Sequence, residues 1–356
     1  MNRQAAKKSA VVICPGRGTY NQAELGYLAK HHSDNKDTSD FILEIDAART
    51  SLGQVSISEL DAMEQFKSRL HGTADNASAL IYACALADFE RINRGQYEIV
   101  AVTGNSMGWY LSLACAGVLQ GRAGFDVVNT MGNLMHTNGS GGQVIYPLVD
   151  TDWCQDSELE SLCIETVAEL NSVKENEIYT SIELGGMRVL AANDAGVTAL
   201  LDRLPPQQGR YPFQLRHHSA FHSPVLNHIP SLAKAKIDSS LFKMAEIPLI
   251  DGRGKIWQPG AYTIDEIYDY TFCEQVCKTY DFSKAIEVCL KEFAADKLII
   301  LGPGTRLGPP VAQELIKQRW SGLSSKSDFI TMQEEEPFVL SMGIDAQRRL
   351  ACQQVN

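Results

Sequence analysis

The feature that most constrains the fold is a strand, a sharp turn and a helix that follow one another directly. Residues 97–103 (YEIVAVT) form a continuous β-rich run, which is typical of a strand buried on both faces of a parallel sheet. Residues 104–108 (GNSMG) supply a sharp turn, and residues 109–118 (WYLSLACAGV) are apolar enough for a buried helix. This succession is the building unit of α/β folds, so we predict a parallel sheet flanked by helices.

Other segments extend the same pattern. Residues 9–14 (SAVVIC) and 297–301 (KLIIL) predict two more buried strands. Each leads into a loop of glycine and proline, PGRG at 15–18 and GPG at 302–304. Residues 73–93 are rich in Ala and Leu at helical spacing and predict a long helix.

The middle of the chain has a different character. Its two predicted helices lie among about four strands, which indicates a small ferredoxin-like α+β subdomain. Three of the strands are predicted at 142–149, 178–182 and 187–192, and the helices at 155–170 and 195–204.

We therefore predict an α/β, hydrolase-like core with a smaller domain inserted into it. The core takes residues 1–140 and 213–320, and the ferredoxin-like subdomain takes 141–212. Residues 321–356 turn polar, with Ser-rich and EEE segments, and are expected to form a peripheral, partly mobile C-terminal extension.

Composition narrows the class of protein. A formal net charge of −11 argues against a general nucleic-acid binder, which would carry a basic excess. The longest apolar runs are far shorter than the ~20 residues of a membrane span. The nine cysteines are scattered without a CxxC pair, as expected for reduced thiols. We expect a soluble, cytoplasmic protein without a membrane or nucleic-acid partner.

The turn at 104–108 is also a G-x-S-x-G motif. Between a strand and a helix, this motif is typical of a nucleophile elbow that presents a serine hydroxyl at the helix N-terminus. Backbone N–H groups and the helix dipole stabilise negative charge there. Ser106 is therefore the candidate nucleophile, and a tightly packed turn of small residues is the alternative interpretation.

A serine hydroxyl needs a base, and the sequence offers several histidines. Four of them cluster in RHHSAFHSPVLNHI, at positions 217, 218, 222 and 228. The spacing of His218 and His222 suggests a metal pair only on a helix, whereas Ser219 and Pro224 indicate a loop. No metal or tightly bound cofactor is called for, and the residues alone do not select the base.

Four motifs, in this order, resemble the malonyl-CoA:acyl-carrier-protein transacylase family, which includes acyltransferase domains of fatty-acid and polyketide synthases. CPGRGT at 14–19 resembles the family's FPGQGSQ, and TGNSMGWYLSLACAGVL at 103–119 resembles GHSLGEYTALVAAGVL. SAFHS at 219–223 resembles HAFHS, and GPG at 302–304 resembles a late GPG loop. The resemblance covers about residues 9–315.

The resemblance implies an S-malonyltransferase-type enzyme. Ser106 would be acylated by a coenzyme A thioester and would pass the acyl group to the phosphopantetheine thiol of an acyl carrier protein. His222 would be the base, and the backbone N–H groups of Met107 and Arg17 would form the oxyanion hole. The family orients its histidine with a backbone carbonyl, which falls near Asp281 in this sequence. No tightly bound cofactor is implied.

The acyl pocket departs from the family. Malonyl-specific members hold the malonyl carboxylate with an arginine, and the matching position here is Met131. The family glutamine of the T-x-x-QPAL segment falls on Ala77. Malonyl is the family default, but a neutral acyl group is the alternative unless another arginine substitutes. The best substitute is Arg17, which stands where the family has glutamine.

Other departures also concern substrate binding. The family histidine before the nucleophile is Asn105 here, and the glutamate after the elbow is Trp109. We expect Trp109 to make the acyl pocket more apolar and Phe221 to disfavour an α-branched acyl group. Two alternatives stay open: an acyl-hydrolase that clears stalled carriers, and a non-catalytic carrier-binding protein. In a true α/β-hydrolase, Asp194 would be the acid by chain order.

Overall fold

The computed structural model describes residues 6–352 and contains two sheets. Among these residues the strands are β1 (Lys8–Cys14), β2 (Tyr97–Gly104), β3 (Gly142–Pro147), β4 (Ile178–Leu184), β5 (Met187–Ala192), β6 (Phe213–Gln214), β7 (Leu249–Ile250), β8 (Ile256–Trp257), β9 (Tyr280–Asp281), β10 (Lys297–Ile300) and β11 (Val339–Ser341).

Helices cover both sheets. They are α1 (Tyr27–His32), α2 (Lys36–Ser51), α3 (Ile57–Asp61), α4 (Ser68–His71), α5 (Ala74–Arg91), α6 (Gly108–Cys115), α7 (Arg122–Asn138), α8 (Ser157–Asn171), α9 (Asp194–Arg203), α10 (Ile229–Lys234), α11 (Ile264–Asp269), α12 (Gln275–Cys277), α13 (Phe282–Lys291), α14 (Gly308–Lys317), α15 (Lys326–Glu335) and α16 (Asp345–Ala351), with a π-helical turn at Tyr270–Glu274.

The larger sheet has the order β11-β10-β1-β2-β7-β8 and is parallel except for the β7–β8 pair. Its central strand β1 is fully buried over residues 10–14, as a strand covered on both faces must be. In a parallel sheet the carboxyl ends of neighbouring strands meet at one edge. The loops after β1, β2 and β10 therefore lie together, and these are the loops that carry the PGRG, GNSMG and GPG sequences.

The smaller sheet has the order β6-β3-β5-β4-β9. Strands β3 to β6 with helices α8 and α9 are arranged antiparallel in ferredoxin-like order, and they have a hydrophobic core of their own. The predicted fold class, an α/β core with a small ferredoxin-like subdomain, is confirmed. Strands β6 and β9 lie outside the predicted limits 141–212, and β9 runs parallel to β4.

The expectation of a peripheral extension from residue 321 is wrong for the described part of that segment. Strand β11 pairs in parallel with β10 and is fully part of the main sheet. The polar residues are concentrated in the exposed end of α15, and for this reason the short buried strand that follows was not predicted from the sequence. The remaining residues of the predicted extension, 353–356, lie outside the described residues.

A buried carboxylate fastens this C-terminal segment to the core. Asp88 of α5 is fully buried and accepts hydrogen bonds from Tyr27 Oη at 2.6 Å, from Gly302 N at 2.8 Å and from Arg348 Nη2 at 2.9 Å. His32 Nε2 lies 2.9 Å from its other oxygen. Burial opposes ionisation of Asp88, but the bonds from His32 and the charge of Arg348 lower its pKa below the ordinary value.

This network makes a prediction about stability. Arg348→Met removes the guanidinium but leaves a buried carboxylate, so the free energy of unfolding should fall by about 3–5 kcal/mol. The matched control is Arg349→Met on the exposed side of the same helix, which should change stability little. Urea unfolding followed by circular dichroism measures both variants. Equal stability of the two would show that residues after 321 do not belong to the folded core.

Candidate active site

One large cavity of about 920 Å³ lies at the carboxyl edge of the main sheet, against the small subdomain. Its wall combines the loop after β1, the turn after β2, helices α5 and α7 and the 215–222 segment. Strands β3, β4 and β5 contribute Ile145, Ile182 and Val189 from the opposite side. The motifs that are distant in sequence therefore meet in a single site.

The G-x-S-x-G turn has the conformation of a nucleophile elbow. Ser106 has a positive φ of 57°, a strained value for a residue with a side chain. The flanking glycines are required by space: a Cβ on Gly104 would lie 2.3 Å from the carbonyl oxygen of Gly108. A Cβ on Gly108 would lie 2.4 Å from the carbonyl oxygen of Cys14. The turn therefore packs directly against the end of β1, and it places the serine at the start of α6.

His222 is the histidine that faces the serine. Its Nε2 lies 2.7 Å from Ser106 Oγ, and its Nδ1 donates to the backbone carbonyl of Gln275 at 2.5 Å. With Nδ1 protonated, Nε2 is left as an acceptor for the serine hydroxyl. Burial lowers the pKa of His222 to about 4, against a smaller opposing effect of the Gln275 bond, so the imidazole is neutral at pH 7.

The predicted orienting position, Asp281, is wrong. The carbonyl that accepts from His222 belongs to Gln275, which lies in α12, the last turn before the chain becomes extended. The final carbonyls of a helix have no partner within the helix, so one is free to accept from the histidine. Asp281 instead caps α13, with its side chain accepting from Lys284 N.

Gln275 also contacts the backbone of the nucleophile elbow, a role that was not predicted from the sequence. Its Nε2 donates to the carbonyl of Ser106 at 3.0 Å, and its Oε1 accepts from Tyr110 Oη at 3.0 Å. Tyr280 Oη donates to the carbonyl of Gly104 at 2.5 Å, and its ring centroid lies 5.3 Å from that of His222. No motif marks this segment; its only sequence signal is a helix end before the extended run at 278–281.

A second set of hydrogen bonds fixes the histidine loop to the small subdomain. His218 Nδ1 lies 2.8 Å from Gln143 Oε1, and Gln143 Nε2 donates to Ser181 Oγ at 2.6 Å. Ser181 Oγ in turn donates to the carbonyl of Phe221 at 2.7 Å. Burial holds the pKa of His218 well below its ordinary value, so its ring is neutral. The small sheet therefore holds the carbonyl of the residue that precedes His222.

Most of the predicted substrate-binding residues line the cavity, but one of them does not. Met131, Phe221 and Asn105 line the cavity, as do Met107 and Arg17 of the predicted oxyanion hole. The prediction that Trp109 belongs to the acyl pocket is wrong. It is fully buried away from the cavity, and its Nε1 donates to Thr271 Oγ1 at 3.0 Å. A helix reverses its exposed face within two residues, so Trp109 points into the core while Met107 lies beside the cavity.

The outer wall of the cavity is basic although the whole chain is acidic. Arg210 and Arg306 are exposed, Lys326 is half-buried, and all three line the cavity. Lys297 does not belong to this wall: it lies near the amino ends of the strands, where it donates to the carbonyl of Pro337.

The low pKa of His222 predicts an unusual pH profile for Ser106. Labelling by a fluorophosphonate should stay near its maximal rate down to about pH 5 and fall by half near pH 4. The folded state disfavours the charged imidazole, so stability is lost as the pH falls from 6.5 toward 4, and folding must be monitored in parallel. A midpoint near 6.5 in folded protein would mean that His222 is solvated rather than buried.

Solved structures resemble this chain along nearly its whole length, whereas no protein-family model and no curated protein matches it. A malonyl-CoA:acyl carrier protein transacylase from Xanthomonas oryzae superposes with a TM-score of 0.72 at 16% identity over 98% of each chain. The malonyl-CoA:acyl carrier protein transacylase of Synechocystis gives 0.71 at 16% identity, over 96% of this chain and 99% of that one.

A third neighbour is a malonyl-transacylase solved in complex with its type II polyketide synthase acyl-carrier protein. It has a TM-score of 0.66 and 16% identity, over 97% of this chain and 99% of that one. At sequence identities this low, the structural similarity establishes a shared fold and nothing further. The chain has the fold of the malonyl-CoA:acyl-carrier-protein transacylases, as the four sequence motifs indicated.

Proposed function

We propose that this protein transfers an acyl group from coenzyme A to the phosphopantetheine thiol of an acyl carrier protein, through an acyl ester on Ser106. The observation that carries the proposal is the 2.7 Å contact between Ser106 Oγ and the neutral, buried His222. A nucleophile within hydrogen-bond reach of a base that a third group orients is the arrangement required for covalent catalysis.

In the first half-reaction His222 takes the proton of the Ser106 hydroxyl while Oγ attacks the thioester carbonyl. The attack places a negative charge on the thioester carbonyl oxygen, which the backbone N–H groups of Met107 and Arg17, two residues of the cavity wall, would stabilise. The C–S bond then breaks, and the departing coenzyme A thiolate takes the proton from His222. Ser106 is left as an ester.

The second half-reaction runs in the opposite direction with a different thiol. The carrier thiol gives its proton to His222 and attacks the ester carbonyl. The bond between the acyl carbon and Ser106 Oγ breaks, the serine regains the proton, and the acyl group leaves as a thioester of the carrier. One imidazole thus serves as base and acid in turn, and no cofactor is needed.

The carrier assignment is supported by charge and by the neighbours. Carrier proteins are acidic, and a cavity rimmed by Arg210, Arg306 and Lys326 attracts an acidic surface despite the net charge of −11. The neighbours are named as transacylases acting between malonyl-CoA and acyl carrier protein. All nine cysteines are free thiols, which suits the reducing cytoplasm where coenzyme A esters occur.

The alternatives receive less support from the geometry. A true α/β-hydrolase would place the Asp194 carboxylate on His222, but Asp194 is exposed at the start of α9 and His222 donates to a carbonyl. A non-catalytic carrier-binding protein would not need a strained serine in contact with a buried histidine. An acyl-hydrolase on the same fold differs only in using water as the acceptor.

Covalent labelling tests the nucleophile. Incubation with malonyl-CoA or a neutral acyl-CoA should add the mass of one acyl group to the intact protein. Ser106→Ala should abolish the mass gain, and His222→Ala should slow it by roughly 10²–10⁴-fold. Ser112→Ala, a buried serine in the helix after the elbow, is the matched control and should label normally. Labelling that survives Ser106→Ala would refute the mechanism.

The basic rim generates a separate prediction for the acceptor. Replacing both Arg210 and Arg306 with Gln should raise the KM for the carrier roughly 2- to 10-fold and weaken its salt dependence. The rate with free pantetheine as acceptor should not change, because that thiol needs no docking surface. Arg203→Gln, an exposed arginine outside the cavity, is the control. An unchanged carrier KM would place the docking surface elsewhere.

A further inference from the structure

The acyl group that this site selects is not settled by the family position, because Met131 replaces the expected arginine. Met131 is almost fully buried and lines the cavity, and a thioether cannot pair with a carboxylate. Other residues that line the cavity must therefore determine whether a charged or a neutral acyl group binds. Selection between the two presupposes the proposed acyl transfer through Ser106.

Arg17 brings a guanidinium to this wall from the loop after β1. Its Nη2 donates to the carbonyl oxygens of Gly72 at 2.9 Å and His217 at 2.8 Å, which holds the group between the C-terminal end of α4 and the histidine loop. Its Cζ lies 5.8 Å from the centre of the Phe221 ring, the residue next to His222. The guanidinium is thereby fixed beside the 217–221 segment that leads to His222.

The remaining donors of this guanidinium have no partner. Nε and Nη1 are both shielded from solvent, and among the described residues neither has a hydrogen-bond acceptor. Both acceptors of Nη2 are neutral carbonyls, so the positive charge is not paired through them. Shielded donors without a partner are costly on a cation, and an anion that reaches them gains both hydrogen bonds and charge pairing.

The charge itself persists at neutral pH. Burial lowers the pKa of Arg17 to about 10, while the charge of Asp75 acts in the opposite direction. The Asp75 side chain is near His136, at 3.8 Å from its Nδ1, and it does not line the cavity. Asp75 therefore moderates the charge of Arg17 through space without occupying its free donors.

We propose that Arg17 is the specificity-determining residue of this site, binding a carboxylate at the far end of the acyl group. Its backbone N–H would hold the thioester oxygen at one end of the acyl group and its guanidinium the carboxylate at the other. The substrate class is then a short dicarboxylic acyl thioester, bound without the helix arginine of the family. Met131 and Phe221 pack against the carbon chain.

A pair of nearly isosteric substrates tests this assignment. Malonyl-CoA and acetoacetyl-CoA have acyl groups of similar shape, but only malonyl carries a carboxylate. The wild-type protein should acylate Ser106 faster with malonyl-CoA, and Arg17→Gln should lower the malonyl-to-acetoacetyl rate ratio roughly 10- to 100-fold. Glutamine keeps a backbone N–H for the oxyanion hole, and the rate ratio within one variant cancels any change that affects both substrates equally. Circular dichroism and thermal unfolding check that the variant is folded.

The controls separate this inference from the proposed function. Arg122→Gln removes an exposed arginine of α7 outside the cavity and should leave the ratio unchanged. If Arg17→Gln fails to fold, Arg17→Lys decides, because the ammonium lacks the bidentate fork and should lower the ratio. A ratio unaffected by either substitution, or a wild type that prefers acetoacetyl-CoA, overturns the role of Arg17. A wild type that no coenzyme A ester labels overturns the proposed function, and this inference with it.

Discussion

The hydrogen bond from His222 Nδ1 to the carbonyl of Gln275 is the contact on which the site depends. It fixes the ring so that Nε2 faces Ser106, and the same glutamine holds the carbonyl of Ser106 through its side chain. One residue at the end of a short helix therefore positions both the nucleophile and the base. A carbonyl cannot be protonated or lost by titration, which lets the site hold a deeply buried neutral histidine without a carboxylate beside it.

The site also depends on two sheets being packed together. The main sheet supplies the elbow and the Arg17 loop at its carboxyl edge, whereas the small subdomain supplies the far wall of the cavity. Ser181 of the small sheet donates to the carbonyl of Phe221, so the segment that carries His222 is fixed from both sides. Burial by both layers lowers the pKa of His222 and keeps the cationic Arg17 poor in solvent contacts.

Sequence reasoning was accurate where a local pattern has one physical explanation. Continuous apolar runs identified β1, β2 and β10, and the glycines of 104–108 predicted the turn that close packing against Cys14 requires. Gln275 was missed because its role depends on a free helix carbonyl meeting a loop that lies more than fifty positions earlier. Trp109 was misplaced by assuming that an aligned position keeps its direction. Strand β11 was hidden by its polar neighbours.

The charge distribution gives the parts of the cavity different tasks. Arg210, Arg306 and Lys326 lie at the rim, where we propose that they contact an acidic carrier, whereas Arg17 lies further inside, where we propose that it binds the acyl carboxylate. The surface between them is mostly apolar. A transferase requires that the carrier thiol reacts with the ester on Ser106 faster than water does, because the two acceptors compete.

The fate of the acyl group on Ser106 is therefore the most direct test of the proposed transfer to a carrier thiol. Protein acylated at Ser106 and freed of coenzyme A would be mixed in a rapid-quench instrument with holo-carrier, or with apo-carrier that lacks the phosphopantetheine thiol. We expect the acyl group to move to the holo-carrier much faster than it is lost with apo-carrier. Release as free acid at the same rate with either carrier would contradict the proposed transfer and identify water as the acceptor.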